Sequence, residues 1–250
     1  MTAREDDIVA AFVSMAGSLA QGHDVDELLS QLAADCARLV DVNAAGLLLA
    51  DARGALHVVA ASSERVADLE AFQAQRAQGP CHTCYLDGRA VDVPDLAAAA
   101  ARWPDFAAVA ARAGIASVHA VPMRLRDDTV GALGLFGTTP GALEAADLRL
   151  AQALADVATI SLVQDRAAAD KDVVVEQLQH ALDSRVVLEQ AKGVLSYSGD
   201  LEMPAAYAAL RTYARDHNIK LSELARALVN RALPASLVLE HARTRGAGTV

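Results

Sequence analysis

The chain has 250 residues, enough for one large domain or two small ones. Hydrophobic residues make up 53% of the sequence and aromatic residues only 4%, which excludes a collagen, a disulfide scaffold and a wholly disordered chain. The net charge of −10 argues against a protein that binds nucleic acid over its whole surface.

Targeting signals do not stand out in the sequence. No stretch reaches the roughly 18 uninterrupted apolar residues of a transmembrane helix, so we expect no membrane contact. The acidic start, Met1–Asp7, lacks the basic and apolar parts of a signal peptide. Three cysteines (Cys36, Cys81 and Cys84) are too few for a secreted disulfide framework and fit reduced thiols. We therefore predict a cytoplasmic protein.

Charge is unevenly distributed along the chain. Met1 to Ser184 contains 13 basic and 26 acidic residues, whereas Arg185 to Leu233 contains seven basic and five acidic residues. This contrast predicts two modules with different partners.

The first module mixes helical and strand-like patterns. Apolar residues recur every three to four positions from Arg4 to Gln21 and again after Asp24, which predicts two helices. Two short apolar runs, Ala45–Ala50 and Leu56–Ala60, flank a turn and predict a β-hairpin. The later predictions begin with a helix over Glu64–Gln78 and a loop with a short strand over Cys81–Pro94. They continue with a helix over Asp95–Ala113, in which Pro104 is a break or a new first turn, and with strands over Ile115–Arg126 and Thr129–Phe136. Without regular β-α-β alternation, this order predicts an α+β domain with an antiparallel sheet flanked by helices.

A long helical stretch follows the first module. Residues 142–192 contain neither glycine nor proline, and a continuous helix there would be about 75 Å long. One interpretation is a coiled-coil-like helix that joins two copies as a parallel homodimer; the other is a packed terminal helix followed by a solvated linker. The heptad seam of the first interpretation consists of Leu150, Leu154, Val157, Val175, Leu178 and Leu182.

The last module is predicted to be all-helical, with three helices and a short tail. The helices are expected over Arg185–Leu195, over Ala205–His217, and from Lys220 or Ser222 to about Leu233. Arg211, Arg215 and Asn218 share one helix face at spacings of four and three residues, and Lys192, Lys220 and Arg226 can flank it. Such a face can neutralise phosphates, although a solvated charged surface has the same pattern.

The sequence contains no catalytic signature, so we expect no enzyme activity. Cys81 and Cys84 have a spacing that suits zinc, a reversible disulfide or simple packing, but no second cysteine pair completes a structural zinc site. His119 lies in an apolar strand, either as a satisfied core residue or as part of a ligand pocket. These three residues are the candidate ligand or redox positions; no metal site is predicted and no cofactor is assigned.

Two resemblances add to this interpretation. The last module resembles an ANTAR domain, a family that recognises stem-loops in nascent RNA. The matching residues are Arg185 to Leu195, Ala206-Tyr207, Leu210-Arg211, Ala214-Arg215, Asn218, Lys220-Leu221 and Leu224-Ala225. The preceding region resembles the GAF domains that accompany ANTAR domains in actinobacteria, through segments that include Gly79-Pro80-Cys81, Arg102 to Phe106 and Ser117 to Pro122.

The resemblances imply a domain layout and a function. The layout is an N-terminal helix (1–23), a GAF sensor domain (24–166), a helical linker (167–184), an ANTAR domain (185–233) and a C-terminal tail (234–250). The function would be signal-responsive transcription antitermination, with a small-molecule ligand in the GAF domain and RNA stem-loops on the ANTAR domain. The RNA-binding residues would be Arg185, Gln190, Lys192, Gly193, Arg211, Arg215, Asn218, Lys220 and Arg226. The alternatives are a DNA-binding regulator and a redox or haem sensor that signals to a protein partner.

Overall fold

The protein is described from a computed structural model, for residues 3–20, 25–125, 128–163 and 171–246. The chain divides into two compact units, Met1–Gln179 and His180–Val250, which we call the sheet unit and the helical unit. In the described ranges, no helix combines the length and the apolarity needed to cross a bilayer.

The sheet unit is built around a five-stranded sheet in the order β2-β1-β5-β4-β3, in which all neighbouring strands are antiparallel. The strands are β1 (Ala44–Ala50), β2 (Leu56–Ala61), β3 (Val91–Val93), β4 (Ser117–Leu125) and β5 (Asp128–Gly137). The predicted hairpin and the predicted α+β class are therefore confirmed.

Helices cover both faces of this sheet. They are α1 (Ala3–Ala20), α2 (Val25–Leu39), α3 (Glu64–Arg76), α4 (Pro80–Asp87), α5 (Pro104–Arg112) and α6 (Ala145–Val163). Helices α3, α4 and α5 share a core with alternate residues of the strands, such as Leu48, Val118 and Phe136. Helices α2 and α6 contact the sheet as well, and α1 packs on both of them. Because successive strand residues point to opposite faces, the near-continuous burial of β1, β4 and β5 reflects this double covering.

Two local predictions in this unit differ from the structure in whole or in part. Residues expected to form a loop after Gly79 form α4, because Pro80 is well suited to the first turn of a helix. Of the helix expected over Asp95–Ala113, only the part from Pro104 forms, so Pro104 is the first turn of a new helix, which was one of the two possibilities for it. The Asp95 carboxylate accepts hydrogen bonds from the amides of Ala97 and Ala98, as a helix N-cap does. The residues that follow form only turns, because Trp103 directly precedes Pro104 and is held out of the helical conformation.

The helical unit contains the end of α7 (Lys171–Gly199) with α8 (Met203–Asp216), α9 (Leu221–Val229) and α10 (Ala235–Gly246). Its core is formed by residues that include Leu188, Leu195, Leu210 and Leu224. The all-helical prediction is confirmed, but the predicted tail contains the additional helix α10. This helix packs against α8 and contributes the buried Val238 to the core.

The predicted heptad seam is interrupted on structural grounds. Leu154 is fully buried within the sheet unit, so it is not available to a second copy. Leu150 and Val157 are partly exposed on α6. The side chains of Val175, Leu178 and Leu182 are outside the part of the structure that is described. Residues 164–170, which join α6 to α7, are outside it as well.

Candidate functional site

A buried polar cluster lies between α3, α4 and the sheet. The Cys81 thiol donates to Oε1 of Glu70 at 3.4 Å, and Nε2 of Gln73 donates to Oε2 of Glu70 at 2.8 Å. The Cys81 amide donates to Oε1 of Gln73 at 2.9 Å, which ties the start of α4 to α3. All three side chains are fully buried, so the cluster is sealed from water.

Two glycines on adjacent strands make room for this cluster. Gly46 on β1 and Gly134 on β5 are directly paired in the sheet register. A Cβ on Gly46 would lie 2.8 Å from Cγ of Glu70, and a Cβ on Gly134 would lie 2.6 Å from Sγ of Cys81. Real Cβ atoms do not approach other atoms so closely. The glycine pair therefore forms a notch that holds the Glu70 carboxyl against the sheet.

Burial makes the ionisable groups of this cluster neutral. It raises the pKa of the Glu70 carboxyl from 4.5 to about 8, against a smaller opposing effect of the Cys81 hydrogen bond. Burial also raises the pKa of Cys84 to about 12 and, with the neighbouring Glu70, raises that of Cys81 well above its usual 9.0. Because the thiolate is the reactive form of cysteine, neither thiol is activated for redox chemistry in this arrangement.

His119 lies apart from the two cysteines. It is paired in the sheet with Leu135, whereas its neighbour Ala120 is paired with Gly134, which faces Cys81. Successive residues of a strand face opposite sides, so His119 lies on the other face of the sheet from Cys81 and Cys84. Its Nδ1 is hydrogen-bonded to Asp92 of β3. The three candidate ligand or redox residues therefore do not form one site.

The described residues contain no group of three or more His, Cys, Asp or Glu side chains arranged to hold a metal ion. All three cysteines are free and buried.

The predicted RNA-binding residues are distributed over three helices of the helical unit. Arg185, Gln190, Lys192 and Gly193 lie on α7, Arg211 and Arg215 on α8, and Lys220 and Arg226 at the start and within α9. Arg211, Arg215, Lys220 and Arg226 are exposed, while Arg185 and Lys192 are partly buried. The buried side of α8 is formed by Ala206, Ala209, Leu210 and Ala214. Arg211 and Arg215 therefore face outward, as their helical spacing requires.

Lys192 links α7 to α8. Its Nζ lies 5.9 Å from the ring centroid of Tyr207, within the range of a cation–π contact. It also forms an ion pair with Glu189 at 2.8 Å, and the same glutamate holds Arg185 at 2.8 Å. Tyr207 precedes Arg211 by one helical turn, so Lys192 and Arg211 approach the same edge of the α7–α8 pair.

Asn218 has a structural role in the backbone. Its φ of 52° places it in the left-handed region just after α8. The Asn218 amide donates to the Arg215 carbonyl at 3.2 Å, and the Ile219 amide donates to the Ala214 carbonyl at 3.0 Å. This is the pattern of a Schellman motif, in which asparagine is one of the few residues that tolerate the left-handed conformation. Asn218 thus ends α8 in addition to any contact its exposed side chain makes.

Two notable residues were missed by the sequence analysis. Tyr197 is 93% exposed on α7, one turn after Gly193, and a helical projection opposite the buried Leu188 and Leu195 would have found it. Glu70 carries no such local signal, because its environment depends on strand pairing between Gly46 and Gly134.

Comparison with known families assigns both units. Residues 22–163, more than half of the chain, match the GAF domain family. The chain belongs to the GAF domain family. Residues 176–229 match the ANTAR domain, so GAF and ANTAR domains are both present, and α10 lies beyond the ANTAR match. No curated protein matches this chain.

Solved GAF structures are similar to this chain at low sequence identity. The GAF domain of a phosphoenolpyruvate-protein phosphotransferase from Acinetobacter is 11% identical with a TM-score of 0.48, covering 73% of this chain and 97% of that one. The corresponding domain from Coxiella burnetii is 10% identical with a TM-score of 0.49, covering 64% and 95%. A GAF domain/HD domain protein from Geobacter sulfurreducens is 17% identical with a TM-score of 0.48, covering 65% and 98%.

Proposed function

We propose that the protein is a signal-responsive regulator whose helical unit binds stem-loop RNA and whose GAF domain receives the signal. The observation that carries this proposal is the ANTAR match over residues 176–229, within which Arg211 and Arg215 project outward from α8. Arginine forms two parallel hydrogen bonds with phosphate and can also stack on an unpaired base.

The charge distribution supports the location of RNA binding. The helical unit contains nine basic and seven acidic residues, net +2, whereas the sheet unit contains 13 basic and 25 acidic residues, net −12. Phosphates are repelled by the sheet unit, so RNA would be confined to the helical unit. Affinity for RNA would therefore fall steeply with salt.

Antitermination gives the binding a regulatory consequence. Paired helical units would hold two adjacent stem-loops and prevent the terminator hairpin from forming. Helix α7 begins in the sheet unit and ends in the helical unit, so it is the covalent element through which a signal would pass. Such coupling requires that a ligand bind one of two arrangements more tightly than the other. A homodimer remains part of the proposal, with contacts that do not involve the buried Leu154.

A titration with RNA tests the proposal. The full chain and the variants Lys192→Ala, Arg211→Ala and Arg215→Ala are titrated with a two-hairpin RNA at two salt concentrations, with duplex DNA as competitor. We expect salt-dependent binding that each variant weakens and that duplex DNA does not displace. Equal affinities for all four proteins would contradict the assigned surface, and displacement by DNA would favour a DNA-binding regulator.

A thiol titration addresses the redox alternative. Because Cys81 and Cys84 are buried with raised pKa values, we expect slow modification in the folded protein and fast modification after denaturation. The double variant Cys81→Ser, Cys84→Ser should bind RNA normally in reducing buffer if it remains folded. Rapid modification of the native thiols, or a haem absorption band in the purified protein, would favour the sensor alternative.

A further inference from the structure

The outward surface of α7 carries two adjacent stripes of residues. The ionic stripe is formed by Arg185, Glu189 and Lys192, which are spaced by four and three residues and joined by ion pairs. The uncharged stripe is formed by Val186, Gln190, Gly193 and Tyr197, at spacings of four, three and four. Each of the first three residues of the uncharged stripe directly follows a member of the ionic stripe. The two stripes therefore run side by side along the helix.

The packing around Gly193 does not require a glycine at this position. It lies within α7, where glycine costs about 1 kcal/mol relative to alanine. It is exposed, and no atom lies within 4 Å of the position that a Cβ would occupy, apart from the helix's own backbone. The remaining physical use of glycine at such a position is the close approach of another molecule to the backbone.

Tyr197 stands next to the gap that Gly193 leaves. At 93% exposure it is the most exposed of the large hydrophobic residues described, and it lies one helical turn beyond Gly193. A flat group could lie on the backbone at Gly193 with one face against the Tyr197 ring. A helix of a protein partner could also approach Gly193 closely, but the cations Arg185 and Lys192 beside the stripe favour a ligand that carries phosphates.

We propose that Tyr197 stacks on an unpaired base of the bound RNA, with Gly193 as the floor that lets the base approach. This inference rests on the proposed function, since it adds a contact to the same surface. The neighbouring ionic stripe supplies the charge complementarity, because Arg185 and Lys192 lie where the phosphates flanking that base would pass. An exposed tyrosine beside cations is the arrangement by which proteins hold single-stranded bases in loops.

A fluorescent-base experiment on the full chain tests this contact. A two-hairpin RNA that binds the protein is selected from a pool with randomised loops, and 2-aminopurine is then placed at each loop position in turn. We expect the protein to quench the fluorophore at one loop position. Tyr197→Ala should remove that quenching and weaken binding by about tenfold, which is within the range known for base–aromatic stacking. Tyr197→Phe should retain both the quenching and the affinity.

Two controls separate stacking from general effects. Leu237→Ala removes another exposed apolar side chain, on α10, and should change neither the quenching nor the affinity. Tyr197→Ala should keep the circular dichroism spectrum of the wild type, because so exposed a ring contributes little to the core.

The outcomes distinguish failure of the contact from failure of the function. If the wild-type protein binds no member of the RNA pool at low salt, the proposed function is wrong and this inference fails with it. If the wild type binds but Tyr197→Ala retains both affinity and quenching, only this inference is overturned. If Tyr197→Ala instead lowers the mass measured by light scattering and leaves the quenching intact, the stripe contacts a second copy of the chain, which also overturns it.

Discussion

The two units place their ionisable groups in opposite environments. In the sheet unit, Glu70, Cys81 and Cys84 are sealed between helices and sheet. In the helical unit, Arg211 and Arg215 extend into solvent from α8. The same chain thus combines an interior of neutral, hydrogen-bonded groups with a surface of charged ones.

This difference separates two kinds of physical control. Burial changes the protonation state of Glu70 and makes the stability of the sheet unit sensitive to pH. Exposed arginines keep their charge at every ordinary pH, and their interactions respond to salt instead. Changes of pH and of salt should therefore act on different units.

The largest effect is expected from Glu70. With a pKa of about 8 in the folded state and 4.5 as its ordinary value, Glu70 stays protonated in the folded protein while the unfolded chain loses the proton. The unfolded state then binds fewer protons than the folded state. As the pH rises from the lower to the higher pKa, the free energy of unfolding should therefore fall by about 1.4 kcal/mol per pH unit. Below the lower value and above the higher one, Glu70 contributes no further slope.

Glu70→Gln isolates this contribution. The variant keeps the size of the side chain and removes its titration, so the difference in unfolding free energy between the two proteins should carry the pH dependence. Urea denaturation can be followed by fluorescence of Trp103, which is the single tryptophan of the chain and is buried in the sheet unit. Parallel pH profiles for the two proteins would show that Glu70 is ionised in the folded state.

The charged side of the contrast is tested by Arg211. Arg211→Ala should weaken RNA binding by about 1–3 kcal/mol, the usual range for a direct nucleic-acid contact. The matched control is Arg53→Ala, which removes an exposed arginine from the sheet unit and should leave the affinity unchanged. The measurement is the same two-hairpin titration. Equal losses for the two variants would mean that only net charge matters and that the helical unit has no special role.

Local patterns in the sequence were sufficient for most helices and strands. The hairpin of β1 and β2 was predictable because two apolar runs flank a turn, and α8 because its apolar residues recur at helical spacing. Helix α4 was not predicted, because Gly79-Pro80 was interpreted as the end of a helix. Proline is also favoured in the first turn of a helix, and α4 begins at Pro80. Helix α10 was also missed, because Pro234 was interpreted as the end of the module and the residues after it lie outside the ANTAR resemblance.

The two candidate sites differ in how far the sequence could predict them. The outward direction of Arg211 and Arg215 follows from helical spacing alone. The separation of His119 from Cys81, and the notch around Glu70, depend on which residues pair across β5. The pairing of β1 with β5 and the packing of α4 on one face of the sheet are set by contacts between distant parts of the chain, which local periodicity does not encode.

Replacing a glycine by alanine should have opposite effects on the stability of the two units. Gly193→Ala should stabilise the helical unit by about 1 kcal/mol, because nothing nearby obstructs the new Cβ. The matched control is Gly134→Ala, which should destabilise the sheet unit by roughly 1–3 kcal/mol through overpacking against Cys81. Amide hydrogen exchange measures each unit separately. A helical unit that is destabilised by Gly193→Ala would indicate an internal role for this glycine.

The smallest expected effect concerns Glu189, which holds two of the predicted RNA-binding cations. Its carboxylate lies 2.8 Å from both Arg185 and Lys192, so a phosphate must compete with it for these cations. Ion pairs at the protein surface are worth about 0.2–1 kcal/mol, and these two pairs are only partly exposed. Glu189→Gln should therefore tighten RNA binding by a few-fold and lower the stability of the helical unit only slightly.

The control for this variant is Glu202→Gln, which makes the same change of charge at the exposed residue before α8. If the ion pairs matter, Glu189→Gln should also steepen the dependence of affinity on salt, because two more cations then neutralise phosphates and release the counterions condensed on the RNA. Glu202→Gln should change the affinity less, since it alters the general field without releasing Lys192 or Arg185. Identical affinities and salt slopes for the two variants would mean that Glu189 acts through net charge alone, and that Lys192 is as available to RNA in the wild type as Arg211 is.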